Sequence, residues 1–259
     1  MNKAIFITVR NGSTRLPGKA LTDIEGFPAI EYLIHRVKHA QKAELIVLCT
    51  TENIQDDSLV EIAERNDIEY YRGSEEDKLE RWRGAAEKFG IEFFITADGD
   101  DIFCDPKLID LGFEQYERNG VDFIQDGGVI TGSFTYGIKV SALQKVCKIK
   151  DSSNTEMMWV YFTDTGLFDV QNLENVPEKF YRKDIRMTLD YEEDLTFFTE
   201  VAKRWSKKDT YLTLAEIVNI IDAESRLKEI NFFRQDQWAL NQKDKTTLIL
   251  KKKNLYSHC

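Results

Sequence analysis

Cysteine and proline are both scarce in this chain of 259 residues, with 4 copies each. Cys49, Cys104, Cys147 and Cys259 lie far apart, and no CxxC pair occurs. That spacing argues against a disulfide scaffold or a cysteine zinc site and leaves reduced core thiols. The paucity of proline, with 42% hydrophobic and 31% charged residues, excludes a disordered chain. No apolar run approaches the ~20 residues that span a bilayer. Met1-Asn2-Lys3-Ala4 runs straight into a short apolar strand and lacks the apolar region and cleavage site of a secretory signal. The expectation is a cytoplasmic protein with no membrane partner. Basic excess is lacking too, because the net charge is −10 and the pI about 5.0. A nucleic acid is therefore not expected as a partner, although an acidic whole can still hold a basic pocket for a small phosphorylated ligand.

What is present is an alternation of strand and helix patterns. The apolar runs at residues 4–9, 45–49, 68–71, 93–96 and 121–124 read as short strands of a buried sheet. Helical spacing fills 28–40, 59–65, 78–89 and 107–118 between them. This order predicts an α/β fold with a doubly wound, mostly parallel sheet flanked by helices. Residues 134–140, after the glycines at 127, 128 and 132, read as a strand turned in the opposite sense. The segment 185–189 reads as another short strand, and 193–205 and 212–227 as helices. Met157, Met158, Trp159, Tyr161 and Phe162 form an apolar cluster of the kind found in cores or subunit interfaces. The length suits one domain over 1–259, with 205–259 a helical extension whose last lysines, Lys251-Lys252-Lys253, are loosely ordered.

The most informative segment follows the first strand: Arg10-Asn11-Gly12-Ser13-Thr14-Arg15-Leu16-Pro17-Gly18-Lys19. Loops at the carboxyl ends of strands are where open α/β sheets bind ligands. Arg10, Arg15 and Lys19 supply cations, Ser13 and Thr14 hydroxyls, and Gly12 and Gly18 room for close backbone approach. These are the groups that hold a triphosphate. The loop is not a P-loop, because five residues separate its glycines and Ala20 follows the lysine. Nor does it have the GxGxxG spacing of a dinucleotide site.

This segment resembles the amino-terminal signature of cytidylyltransferases that make CMP-activated sugars. That family includes the CMP-KDO synthetases, the acylneuraminate cytidylyltransferases and the spore-coat polysaccharide protein F group, and the last is the nearest match. Three further stretches carry the resemblance: Tyr71-Arg72-Gly73-Ser74-Glu75-Glu76-Asp77-Lys78-Leu79-Glu80-Arg81, Gly99-Asp100 with Asp105-Pro106, and Leu189-Asp190 with Glu193-Asp194-Leu195. It covers about the first 200 residues and fades beyond Trp205. It implies a Rossmann-like, GT-A-like nucleotidyltransferase that moves CMP from CTP to an acidic sugar or related acceptor with Mg²⁺. It also implies a homodimer. Thr50, Arg72 and Gly73 would lie beside the nucleotide, with Arg10, Asn11, Gly12, Ser13, Arg15 and Lys19 on its phosphates.

Two acidic clusters complete the expectation. Asp98-Gly99-Asp100-Asp101 ends a predicted strand, where three carboxylates repel one another unless a cation neutralises them. Mg²⁺ takes one or two carboxylates together with phosphate oxygens. The resemblance makes Asp100 the metal ligand and Asp190 a second one, although Tyr191-Glu192 stands where the CMP-KDO group usually has Thr-Pro. Without it, Asp190 reads equally as a helix cap with Glu193 as its partner. On this reading Arg15, Lys19 and Asp100 are the catalytic set. Two rivals remain open: a metal-dependent glycosyltransferase using Asp98-Gly99-Asp100, and a nucleotide-binding module without turnover.

Overall fold

The computed structural model describes residues 2–205 and 211–251. Its first strand, β1 (Lys3–Thr8), is buried along its whole length. A short hairpin of β2 (Asp23–Ile24) and β3 (Phe27–Pro28) follows the basic loop and leads into α1 (Ala29–Val37). The chain then alternates through β4 (Leu45–Thr51), α2 (Asp57–Arg65), β5 (Glu69–Gly73), α3 (Lys78–Phe89), β6 (Phe93–Asp98) and α4 (Pro106–Asn119). β4 and β6 pair parallel on either side of β1, and β5 pairs parallel with β4.

β7 (Phe123–Gln125), β8 (Tyr136–Lys139) and β9 (Val170–Asn172) complete a seven-stranded sheet in the order β5-β4-β1-β6-β8-β7-β9. β8 runs antiparallel to both neighbours, the reversal expected for residues 134–140, while β7 and β9 are parallel. α5 (Val140–Ile149) starts directly after β8 and α6 (Val160–Thr163) precedes β9. The remaining helices are α7 (Glu192–Lys203), α8 (Leu214–Ala223), α9 (Arg226–Glu229) and α10 (Gln235–Lys245).

The sheet separates two apolar layers, which is why its central strands are apolar on both faces. Ile5 and Ile7 of β1 pack with Ile30 and Leu33 of α1, Leu108 of α4, Phe197 of α7 and Ile217 of α8. Ala4 and Phe6 face the other layer, with Trp82 of α3, Leu143 of α5 and Tyr161 of α6. α8 is thus part of the core. Each fully buried large side chain here contributes roughly 1.5–3 kcal/mol. Trp82 adds a hydrogen bond from its indole Nε1 to Thr8 Oγ1 at 2.8 Å.

Caps explain where the helices begin and stop. Asp105 accepts from Lys107 N and Leu108 N ahead of Pro106, which fits the first turn of α4 without its missing N–H. Its second oxygen accepts from Leu214 N at 3.1 Å, tying α8 to α4. Gly90 and Gly120 end α3 and α4 in the left-handed conformation.

Two expectations are corrected. Residues 185–189 form no ladder, only a single bridge between Thr131 and Arg186, because backbone groups of this segment bond instead to the loops after β6 and β7. The helix expected over 212–227 breaks at Glu224, which is extended (φ −129°, ψ 75°) with its carboxylate gripped by Arg204 at 2.8 and 2.9 Å. Lys252, Lys253 and Cys259 lie outside the described residues. Cys49 and Cys104 are buried free thiols and Cys147 is half-buried and free. Among the described residues no helix is long and apolar enough to cross a membrane.

Candidate active site

β1 and β6 lie side by side, with Thr8 in register with Asp98. The sheet grows from β1 to β4 and β5 on one side and from β6 to β8 on the other. Their carboxyl ends therefore form the switch point at which such sheets bind ligands. A cleft of about 920 Å³ opens there. Gly99 is what lets the two strand ends meet: its N–H donates to Thr8 O at 2.8 Å, and a Cβ would lie 2.6 Å from Val9 Cβ.

The basic loop folds over this point. Asn11 N donates to the buried Asp56 carboxylate at 2.7 Å, anchoring one end. At the other, Gly18 is left-handed (φ 70°) and caps a 3-10 turn over Lys19–Leu21. That turn brings the Lys19 ammonium within 2.8 Å of Asp100 Oδ2 and 2.9 Å of Asp190 Oδ1. The Arg15 guanidinium donates to the same Asp190 oxygen. Burial disfavours the charge of Lys19, but the two carboxylates outweigh it and hold its pKa above the ordinary lysine value. Burial likewise works against the Asp190 carboxylate, and Lys19 and Arg15 overcome it, lowering its pKa to about 2.

Asp190 reaches Asp100 because backbone bonds hang its segment on the loops after β6 and β7. Leu189 N donates to Asp100 O at 2.8 Å and Met187 N to Thr131 O at 2.9 Å. Behind it lies the fully buried Arg186, bonded to Asp190 at 3.4 Å and to both oxygens of Asp194 at 3.0 and 3.2 Å. Asp194 also accepts from the N–H groups of Asp190 and Tyr191 at the start of α7. The capping carboxylate is thus Asp194, which leaves the Asp190 side chain to the cleft cations, while Glu193 pairs with Arg234 at 2.8 Å.

The three carboxylates after β6 find separate solutions. Asp100 meets Lys19. Asp98 meets the ammonium of Lys78 at 3.0 Å, yet burial keeps its pKa raised. Asp101 meets no cation among the described residues: burial, reinforced by Asp100 and Asp98, pushes its pKa well up, and Thr135 donates to it at 3.1 Å.

The expected residues divide accordingly. Arg10, Gly12, Ser13, Arg15, Lys19 and Asp100 line the cleft, with Asp190 bonded to its cations. Asn11, Thr50, Arg72 and Gly73 do not line it. The Asn11 amide is turned to Gln55 O and Ser58 Oγ. Arg72 clasps the carbonyls of Thr51 and Asn53 at 2.8 and 2.7 Å and pairs with Asp57. The apolar cluster at 157–162 splits: Tyr161 and Phe162 are core, whereas Met157 and Trp159 line the cleft. Lys78, Arg186 and the cleft face of α10 were not anticipated. Lys78 sits within a stretch that carried the resemblance, so its signal was present. Nothing in the sequence pairs Arg186 with an acid eight residues away.

The sequence matches the cytidylyltransferase family over residues 4–243. The chain belongs to that family. Family members are nucleotidyltransferases, so cytidylyl transfer is the class of chemistry to which the chain belongs. This cytidylyltransferase is 29% identical over 202 residues to the spore coat polysaccharide biosynthesis protein SpsF of Bacillus subtilis, covering 75% of this chain and 84% of that one. In fold it is similar to a cytidylyltransferase from Leptospira borgpetersenii (TM-score 0.80, 24% identity, 88% and 96% of the chains covered). It is also similar to a CMP:2-keto-3-deoxy-manno-octonic acid synthetase complexed with CTP (TM-score 0.62, 15% identity, 79% and 100% covered). In this chain, as its sequence suggested, the basic loop and the acidic clusters converge on one place.

Proposed function

We propose that this cytidylyltransferase transfers CMP from CTP to an acidic sugar or related acceptor, with Mg²⁺ and release of pyrophosphate, in activated-sugar and surface polysaccharide biosynthesis. The observation that carries the reading is the Lys19 ammonium shared between Asp100 and Asp190, with Arg15 on the same carboxylate. Arg10, Arg15 and Lys19 would grip the β- and γ-phosphates. The acceptor oxygen forms a bond to the α-phosphorus, and the bond to the bridging β-phosphate oxygen breaks. Pyrophosphate leaves with that electron pair, and preorganised cations stabilise the charge it gains.

Asp100 and Asp190 are two hard oxygen donors from separate segments meeting at one cation, a donor set that fits Mg²⁺. Among the described residues no group of three or more His, Cys, Asp or Glu forms a site for a metal. A two-carboxylate site that takes its remaining ligands from water and phosphate is the kind Mg²⁺ favours. When bound, the ion would supply charge neutralisation at the α-phosphate. The family match favours nucleotidyl transfer over the glycosyl transfer that Asp98-Gly99-Asp100 alone would allow.

The test is a pyrophosphate-release screen of four nucleoside triphosphates against sugar acids, with and without Mg²⁺. CTP with a sugar acid should give release that requires Mg²⁺, and Asp100→Asn should lose it. Full activity of Asp100→Asn would remove the metal assignment.

A further inference from the structure

The carboxyl-terminal helix α10 buries no residue, yet one of its faces lines the cleft. Trp238, Gln242 and Lys245 follow one another at i, i+4 and i+7, and Ala239, Lys243 and Thr246 repeat the spacing one residue on. Such positions share one face of a helix. The helix is held at its start to the Asp190 segment: Gln235 accepts from Arg186 at 3.3 Å, and Arg186 lies 5.3 Å from the Trp238 ring. Asn241 donates to the Tyr191 hydroxyl at 3.2 Å. Beyond α10 the chain pairs with the end of α5, through Asp151 N to Ile249 O and Lys251 N to Ile149 O, both 2.9 Å. Residues 238–246 therefore run along the cleft from the Asp190 segment toward α5, the helix that follows β8.

The cations of the cleft differ in how they are satisfied. Arg10, Arg15, Lys19, Lys78 and Arg81 all bond to a carboxylate or a carbonyl. Lys243 and Lys245 also line the cleft, and among the described residues their side chains have no hydrogen-bond or ion-pair partner. Both follow Gln242 on the part of α10 that lines the cleft. Two ammonium groups without a partner among the described residues, on a face that also presents an indole, match a sugar bearing an anionic group, with ring carbons against Trp238.

We infer that Lys243 and Lys245 on α10 bind the anionic group, carboxylate or phosphate, of the acceptor sugar and so set acceptor specificity. This rests on the transferase reading proposed above. Each charge-assisted contact should be worth about tenfold in affinity.

The experiment is calorimetric titration of the full chain, loaded with Mg²⁺ and α,β-methylene-CTP. The probes are N-acetylneuraminate, 3-deoxy-manno-octulosonate and glucose 6-phosphate, with N-acetylmannosamine and glucose as neutral controls. At least one anionic probe should bind tenfold or more tighter than the neutral sugars, and which one binds separates carboxylate from phosphate. The double variant Lys243→Gln/Lys245→Gln should lose that preference by about 10- to 100-fold and keep its nucleotide affinity within about twofold. Both side chains are exposed, so the fold is not at risk. The inference is overturned if the unaltered chain shows no anion preference or if the double variant retains it. A nucleotide affinity that drops in the variant overturns it too, and assigns the lysines to the triphosphate. Failure of the transferase reading shows separately, as absence of nucleotide binding by the unaltered chain.

Discussion

Lys19 is the residue on which the site's electrostatics turn, since it is the cation that bridges the two acidic segments. Its replacement by methionine keeps most of the apolar stem and removes the charge. By analogy with loss of a preorganised oxyanion donor, pyrophosphate release should fall by ~10²–10³. The same variant has a signature in stability. Asp190 titrates at about 2 in the folded chain, below its ordinary value, with Lys19 the leading cause after the opposing burial. A depressed carboxylate stabilises the fold above the unfolded pKa, and that contribution is lost as pH falls through the folded pKa. For Asp190 the window is roughly pH 4 to 2, and the whole shift is on the order of 2 kcal/mol. Lys19→Met should therefore show a flatter fall of unfolding free energy with acid across that window, measured by denaturant titration at several pH values. Unchanged turnover together with an unchanged slope would place Lys19 outside the site.

At the scale of elements, the juncture of β1 and β6 is the most constrained contact. A methyl group at Gly99 would press on Val9 Cβ at 2.6 Å, just beyond β1, and on Thr8 O at 3.1 Å at the end of that strand. Such overpacking costs ~1–3 kcal/mol. In a chain of this length Gly99→Ala should lower Tm by roughly 2–4 °C per kcal/mol, read by calorimetry. Activity should fall further than stability alone explains, because Asp98 and Asp100 flank the strained residue. A variant as stable as the parent would show that the strand ends have slack. The elements around this juncture were legible in the sequence because β1, β4 and β6 are short apolar runs bounded by polar turns. α5 was not, since Val140 follows Lys139 of β8 with no glycine or proline to mark the change of period. Residues 185–189 looked like a strand by composition, but a strand needs a partner, and the nearest backbone was loop. The site was legible where it depended on local chemistry, as in residues 10–19. It was not where it depended on side-chain pairings that no local pattern announces, such as Lys78 with Asp98 or Arg186 with Asp190 and Asp194.

For the molecule as a whole, the carboxyl-terminal third does two unlike jobs. α8 sends Leu214, Ile217, Val218 and Ile221 into the core, and Asn231 is buried with its amide on Asp194 and Arg186 O. Asn231 is thus part of what holds the Asp190 segment in place. α10 is different in kind, because none of its residues is buried and it meets the Asp190 segment through the Gln235 and Asn241 hydrogen bonds and the Trp238 ring beside Arg186. Removing the chain after Arg234 would leave the Arg234–Glu193 pair intact and take away little apolar contact. Exposed or half-buried polar contacts of this sort contribute ~0.2–1 kcal/mol each. The shortened chain should therefore melt within a few degrees of the full one and bind CTP with similar affinity. Its pyrophosphate release with an acidic acceptor should fall at least tenfold, through a raised KM for the acceptor. Calorimetry and steady-state kinetics on the two chains measure all three quantities. A shortened chain that unfolds would make α10 a structural brace, and one that keeps full turnover would leave the cleft's far wall without a role.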